Sequence, residues 1–198
     1  MPIFLLSPAR CDGKRAKVLL NPKAEFPLAM RLREAEGAPI GEVFAFLSGL
    51  YFRGKLAYAG TFGPQSSYVI TTDRGLVNPN ARVRHTDLEA FACVDLAEAG
   101  DDFLIPLMRD AEQIAHETPA APVVLLGSIA TKKYVEPLLR VFGERLVFPT
   151  DFVGRGDMSR GGLLLRHVDA GRELEYTAVA TAVRHGKRPP KLAPVKRR

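Results

Sequence analysis

The sequence has no tryptophan, two cysteines and four histidines among 198 residues. Two thiols make no disulfide framework, and with scattered histidines they make no zinc-ligand spacing. No apolar run approaches the ~20 residues a membrane span requires. The first residues, MPIFLLSPARC, carry no basic segment and too short an apolar stretch for a secretory signal. These absences argue against a disulfide-built toxin, a zinc finger and a membrane protein. They lead to the expectation of a cytoplasmic protein with no membrane partner, no metal and no cofactor.

Acid is missing from one segment altogether. Residues 183–198 contain no Asp or Glu and carry Arg184, Lys187, Arg188, Lys191, Lys196, Arg197 and Arg198. These are seven of the 28 basic side chains, which leaves 21 against 22 acidic ones in the rest. The sequence pI of 9.5 therefore describes a basic tail on a neutral body. Three prolines and no apolar period predict an extended or disordered tail after a single domain at 1–182. Such a tail adds salt-sensitive attraction to phosphate backbones, and it equally serves as a solubilising segment.

The body has a globular composition, with 46% hydrophobic residues. A chain of this length buries about 70% of its unfolded surface and needs no covalent staple. Short apolar runs at 2–7, 67–72, 122–127 and 145–149 predict four strands. Helical spacing predicts helices at 23–36, 39–60, 101–117, 131–142 and about 159–167, with Gly49 and Gly54 weakening the second. Residues 173–183 fit an edge strand or a helix. The alternation predicts an α/β fold, a three-layer sandwich with a mostly parallel central sheet of about four strands.

Ligands of such sheets sit at the carboxyl ends of the strands. The four loops there are residues 7–16, 73–80, 127–133 and 150–162. They carry Arg10, Lys14, Arg15, Arg74, Lys132, Lys133, Arg155 and Arg160, with Asp12, Asp73, Asp151 and Asp157 among them. Cations, carboxylates and glycines on one rim suit a phosphate-bearing ligand. The last loop brackets Arg155, Asp157, Ser159 and Arg160 with Gly154, Gly156, Gly161 and Gly162. It lacks the GxxxxGK[ST] order, and no GxGxxG opens the first βαβ unit, so a dinucleotide cofactor has no support. A helix starting near Ser159 would offer free N–H groups to a phosphate.

Cys11 lies beside Lys14 and Arg15, which lower a thiol pKa, but no histidine neighbours it in sequence. Cys93 reads as a packed core residue. In Leu50-Tyr51-Phe52-Arg53-Gly54-Lys55 an aromatic ring can stack on a base while Arg53 or Lys55 holds a phosphate. Tyr51 fits a core position as well, with Arg53 and Lys55 solvated.

The order of short motifs is S-P-x-x-C-x-G-K-R, L-Y-F-R-G-K, T-T-D-R-G-L-V-N-P, V-V-L-L-G, K-K-Y-V-E-P-L-L and F-P-T-D-F-V-G-R-G. Over residues 3–165 this resembles a group of small bacterial domains of unknown function. That group is similar in turn to the uracil-DNA-glycosylase-like superfamily. There a parallel sheet presents a water-activating loop after the first strand and a phosphate-clamping loop of His-Pro-Ser type after the last. Phe148-Pro149-Thr150-Asp151, followed by Arg155-Gly156, is similar in placement to the second loop. The superfamily's G-x-D-P is absent, and Phe148 or Thr150 stands where its histidine is expected.

The resemblance thus implies a nucleic-acid base as substrate and a DNA glycosylase for a modified base, as in anti-phage defence. It does not imply uracil specificity. DNA is favoured over RNA as partner. On this reading Asp12, with Asp151 second, stabilises the oxocarbenium-like sugar and orients water. Arg155, Ser159 and Arg160 clamp phosphates. Arg10, Lys14, Arg15, Arg53, Arg74 and Lys132 bind phosphate or the leaving base, and Tyr51 stacks on the extruded base. The competing class is a binding module that recognises nucleic acid or a nucleotide without chemistry. A third is an enzyme acting on a free nucleotide.

Overall fold

A computed structural model describes residues 1–94, 100–184 and 186–193. Four apolar segments form the central strands: β1 (Ile3–Leu6), β3 (Ser67–Ile70), β6 (Val123–Leu126) and β7 (Leu146–Pro149). Every residue of β1 and β6 is buried, as a strand covered on both faces requires. Burying each such aliphatic side chain is worth about 1.5–3 kcal/mol. The sheet has six strands in the order β4-β3-β1-β6-β7-β8. The four expected strands are its parallel centre, with Phe4 opposite Ser67 on one side and Val124 on the other.

The two flanking strands are antiparallel and short: β4 (Leu76–Val77) beside β3 and β8 (Tyr176–Ala178) beside β7. β8 lies in the segment whose pattern left strand and helix open, and a 3₁₀ turn follows it at Val179–Thr181. A separate two-stranded ladder pairs β2 (Ala38–Pro39) with β5 (Arg82–Val83).

Eight α-helices connect these strands among the described residues. They are α1 (Lys14–Leu19), α2 (Pro27–Arg33), α3 (Ile40–Ser48), α4 (Leu50–Phe62), α5 (His85–Cys93), α6 (Asp101–Glu117), α7 (Lys132–Phe142) and α8 (Asp157–Asp169). The helix expected across 39–60 is two helices. Gly49, at φ 64°, ends α3 and opens α4 in one residue. Helix α8 begins at Asp157, two residues before the expected start, and runs to Asp169.

Helices α4 and α8 cross at two glycines. A Cβ on Gly54 would lie 2.7 Å from the Gly161 carbonyl oxygen, and one on Gly161 would lie 2.6 Å from Leu50 O. Gly54 thus costs helix propensity and allows backbone contact with α8.

Strand order reverses between β1 and β6: the chain leaves β1 toward β3 and later continues from β6 to β7 on the other side. Loops at the carboxyl ends of these two strands therefore diverge and leave a crevice. No helix among the described residues is long and apolar enough to cross a membrane.

Candidate functional site

A cavity of about 740 Å³ occupies that crevice. One wall is the loop after β1, from Ser7 to Asp12. Thr72 lines it after β3, and Ser128 and Thr131 after β6. Helix α7 adds Lys133 and Tyr134, and the end of α5 adds Phe91 and Cys93. Its size is that of a small-molecule or nucleobase site. Gly127 lets the two loops start in close contact before they diverge, since a Cβ there would lie 2.8 Å from Ser7 Cβ.

Asp12 stands at the mouth of the cavity with about half of its side chain exposed. Arg10 grips its carboxylate at both oxygens, Nε to Oδ1 at 2.5 Å and Nη2 to Oδ2 at 2.9 Å. This donated pair holds the carboxyl below its ordinary range. Arg10 and Asp12 are thus brought together at the cavity, as the order of residues after β1 suggests.

The remaining rim residues divide into other groups. Arg15 donates to Phe46 O at 3.0 Å, and with Arg53 it lines a different groove that includes Phe26. Lys14 is exposed on α1. Lys132 is also exposed, and it is the neighbouring Lys133 that lines the cavity. Arg74 is engaged by carboxylates: it bonds Asp73 at 2.8 Å and Asp87 at 3.0 Å and covers the Phe91 ring. These contacts pin α5 to the loop after β3, so the guanidinium is not a free phosphate ligand.

The loop after β7 forms a second basic locus. Asp151 is exposed in the 3₁₀ turn Thr150–Phe152, and its carbonyl accepts from Arg155 Nε at 2.9 Å. Arg155 Nη1 reaches Ser159 Oγ and Pro190 O, both at 3.3 Å. Arg160 turns inward, donates to Phe152 O at 3.1 Å and lies over the Phe152 ring. The tail segment 186–193 runs across this locus without regular secondary structure. Its Pro190 and Ala193 carbonyls accept from Arg155 and Arg166. Lys196, Arg197 and Arg198 lie outside the described residues, as does His185.

Four residues depart from their expected surroundings. Tyr51 is 5% exposed, and its hydroxyl has no hydrogen-bond partner among the described residues. Its ring packs edge-on to Phe152 and under the Lys55 ammonium, so it is a core ring and not a stacking platform for a base. Cys93 is exposed on the cavity, while Cys11 is buried. Burial, with Asp12 and Asp73 nearby, pushes the Cys11 thiol up to about 12, which removes it as a thiolate nucleophile.

Lys55, expected in solvent, is fully buried. Its Nζ donates to Ser7 O at 2.9 Å and to Ser7 Oγ at 2.7 Å. Helical spacing carried this signal: Lys55 follows Phe52 by three residues and precedes Ala59 by four, all on one buried face. No group of His, Cys, Asp or Glu among the described residues is arranged to hold a metal ion. No protein-family model, curated protein or solved structure matches this chain.

Proposed function

We propose that this chain processes a base of DNA, as a glycosylase that hydrolyses the N-glycosidic bond of a modified nucleotide. A three-layer, uracil-DNA-glycosylase-like arrangement of the helices belongs to the same reading. The observation that carries it is the cavity at the β1–β6 crevice with the Asp12 carboxylate at its mouth. A base inside a duplex cannot enter such a site, so the substrate is an extruded nucleotide. Phe91 supplies an apolar wall, while Thr72 and Ser128 supply polar edges.

The bond breaks through an oxocarbenium-like sugar, and a carboxylate beside C1′ stabilises that charge and orients the attacking water. Asp12 takes this role, since Asp151 lies in the turn after β7 and does not line the cavity. Lys133 flanks the entrance and suits a phosphate beside the extruded nucleotide, while Arg10 is held by Asp12.

The test is alkali cleavage after incubation with duplexes that carry normal, deaminated, hydroxymethylated and glucosylated bases. Strand breaks on one substrate are expected. Asp12→Asn is expected to abolish them and leave DNA affinity nearly intact. A mutant that still makes abasic sites at the normal rate overturns the assignment.

One observation favours a second reading. Arg10 already neutralises Asp12, as in a module that binds nucleic acid without cutting it. Tight binding with a salt slope of several units and no abasic sites would establish that module.

A further inference from the structure

The cavity floor holds a pair of residues that the chemistry above leaves unused. Ser7 lines the cavity, and Lys55 lies directly behind it with 1% of its surface exposed. Both side-chain hydrogen bonds of Lys55 among the described residues go to Ser7. As an ammonium, Nζ has three hydrogens. Two meet Ser7 O and Ser7 Oγ, and the third faces the Tyr51 ring, whose centre is 4.2 Å away.

As a neutral amine, Lys55 would keep its bond to Ser7 O and accept a hydrogen bond from the Ser7 hydroxyl, which can rotate to donate. Both protonation states are therefore satisfied in place. A lysine that served only to pin the loop would need just the charged one.

The groups around the ammonium leave its charge uncompensated at close range. Tyr51 and Phe52 face it from α4, at 4.2 Å and 5.0 Å to the ring centres. Asp157 and Arg160 act on it from α8 in opposite senses. From α7, Tyr134 donates to Ser128 O at 3.1 Å and faces Ser7. Desolvation then dominates and lowers Lys55 to about 7, where it can give up a proton in neutral solution.

We propose that Ser7 and Lys55 form a proton relay on the cavity floor, with Ser7 handing the leaving base a proton that Lys55 replaces. The relay rests on the glycosylase reading. The C1′–N bond breaks with its electron pair on the base nitrogen. That nitrogen takes the Ser7 proton, and Ser7 Oγ takes one from Lys55 Nζ. Water adds to C1′ and loses a proton toward Asp12 and solvent, and solvent reprotonates Lys55. The balance is one water consumed per sugar hydroxyl and free base formed. Ser7 is the catalytic residue of the pair, and Lys55 acts through it.

Two measurements on the full chain test this. The first follows the Lys55 side-chain nitrogen by NMR in ¹⁵N-lysine protein from pH 5.5 to 9, assigned with Lys55→Met. The second follows abasic-site formation over the same range for wild type and Ser7→Ala, which keeps the loop carbonyl that Lys55 also holds. The expected result is a Lys55 signal that titrates near neutrality and a rate that falls as pH rises through the same point. Ser7→Ala should be slower by roughly 10²–10⁴-fold, lose that limb and bind the duplex as wild type does.

A Lys55 that stays protonated throughout overturns the relay, and so does a Ser7→Ala chain with the wild-type rate and profile. In either case abasic sites made by wild type would leave the glycosylase reading standing. An absence of abasic sites in every duplex overturns that reading and the relay with it, whatever Lys55 does.

Discussion

The hydroxyls of Tyr58 and Tyr176 lie 2.7 Å apart and join α4 to β8, the last strand of the sheet. Tyr58 also accepts the Leu174 backbone N–H at 2.7 Å, and Tyr176 donates to Glu173 Oε2 at 2.8 Å. The chain of donors therefore runs from Leu174 through both rings to one carboxylate. Removing its middle leaves the buried Leu174 N–H without a partner, which costs about 1–3 kcal/mol. Tyr58→Phe is expected to lose about 2 kcal/mol in urea unfolding and several degrees of Tm. An unchanged midpoint would show that water replaces the hydroxyl.

Where α4 crosses α8, two effects of one substitution oppose each other. Alanine at position 161 gains about 1 kcal/mol of helix propensity over glycine. Its Cβ would meet Leu50 O at 2.6 Å and Tyr51 Cα at 2.8 Å, both backbone atoms that cannot swing aside. Forcing packed elements apart costs typically 1–3 kcal/mol, and contacts this short belong at the upper end. Gly161→Ala is expected to be less stable than wild type by roughly 2 kcal/mol in calorimetry or urea titration. Gly162→Ala, one residue on, is the control: among the described residues its Cβ meets only Leu192, at 3.6 Å.

Burial lowers Lys55 to about 7 in the folded chain from an ordinary 10.5. Between these values the unfolded chain holds a proton that the folded chain has released, so stability rises with pH from about 7 upward. Below 7 the penalty for the buried charge is fully present. Above 9 the unfolded Cys11 thiol ionises while the buried one does not, which flattens the climb, and near 10 the direction reverses because burial raises the Tyr51 and Tyr134 hydroxyls in the same way. Stability from urea unfolding is expected to climb from about pH 7 to 9, by up to about 2.5 kcal/mol. Lys55→Met should remove most of that climb.

The two thiols should differ sharply in reactivity. Cys93 is exposed on the cavity wall, while Cys11 is buried with its thiol pushed up to about 12. A chromogenic disulfide reagent at pH 8 is expected to titrate one thiol quickly and the other only after denaturation. A nucleic acid seated in the cavity should slow the fast reaction. Equal rates with and without bound DNA would place the nucleic acid elsewhere on the protein.

The central strands were legible because three or four apolar residues in a row, bounded by turn residues, have few other uses. β4, β8, β2 and β5 are two or three residues long, too short to show a period. α1 was hidden for a similar reason, with Ala16 and Leu19 as its only buried positions. α5 begins at an unusual N-cap, Arg84, whose backbone N–H is held by Asp87, so no Ser, Thr, Asp or Asn announced it. The cavity's place followed from the order of strands and loops. Which cation faces it did not, because Lys132 and Lys133 differ only in a rotation of 100° about the helix axis. Lys55 is readable from its spacing on the apolar face of α4, against the general tendency of lysine to lie in solvent.

The sheet ends on one flank in the two residues of β4 and on the other in the three of β8, both antiparallel to their neighbours. An outer strand of that length offers another chain only about 10 Å of unpaired backbone, too little to template a further strand. The fully buried apolar strands β1 and β6 are both interior. Self-association through strand addition is thereby blocked on both flanks, although the centre of the sheet is among the most apolar parts of the chain.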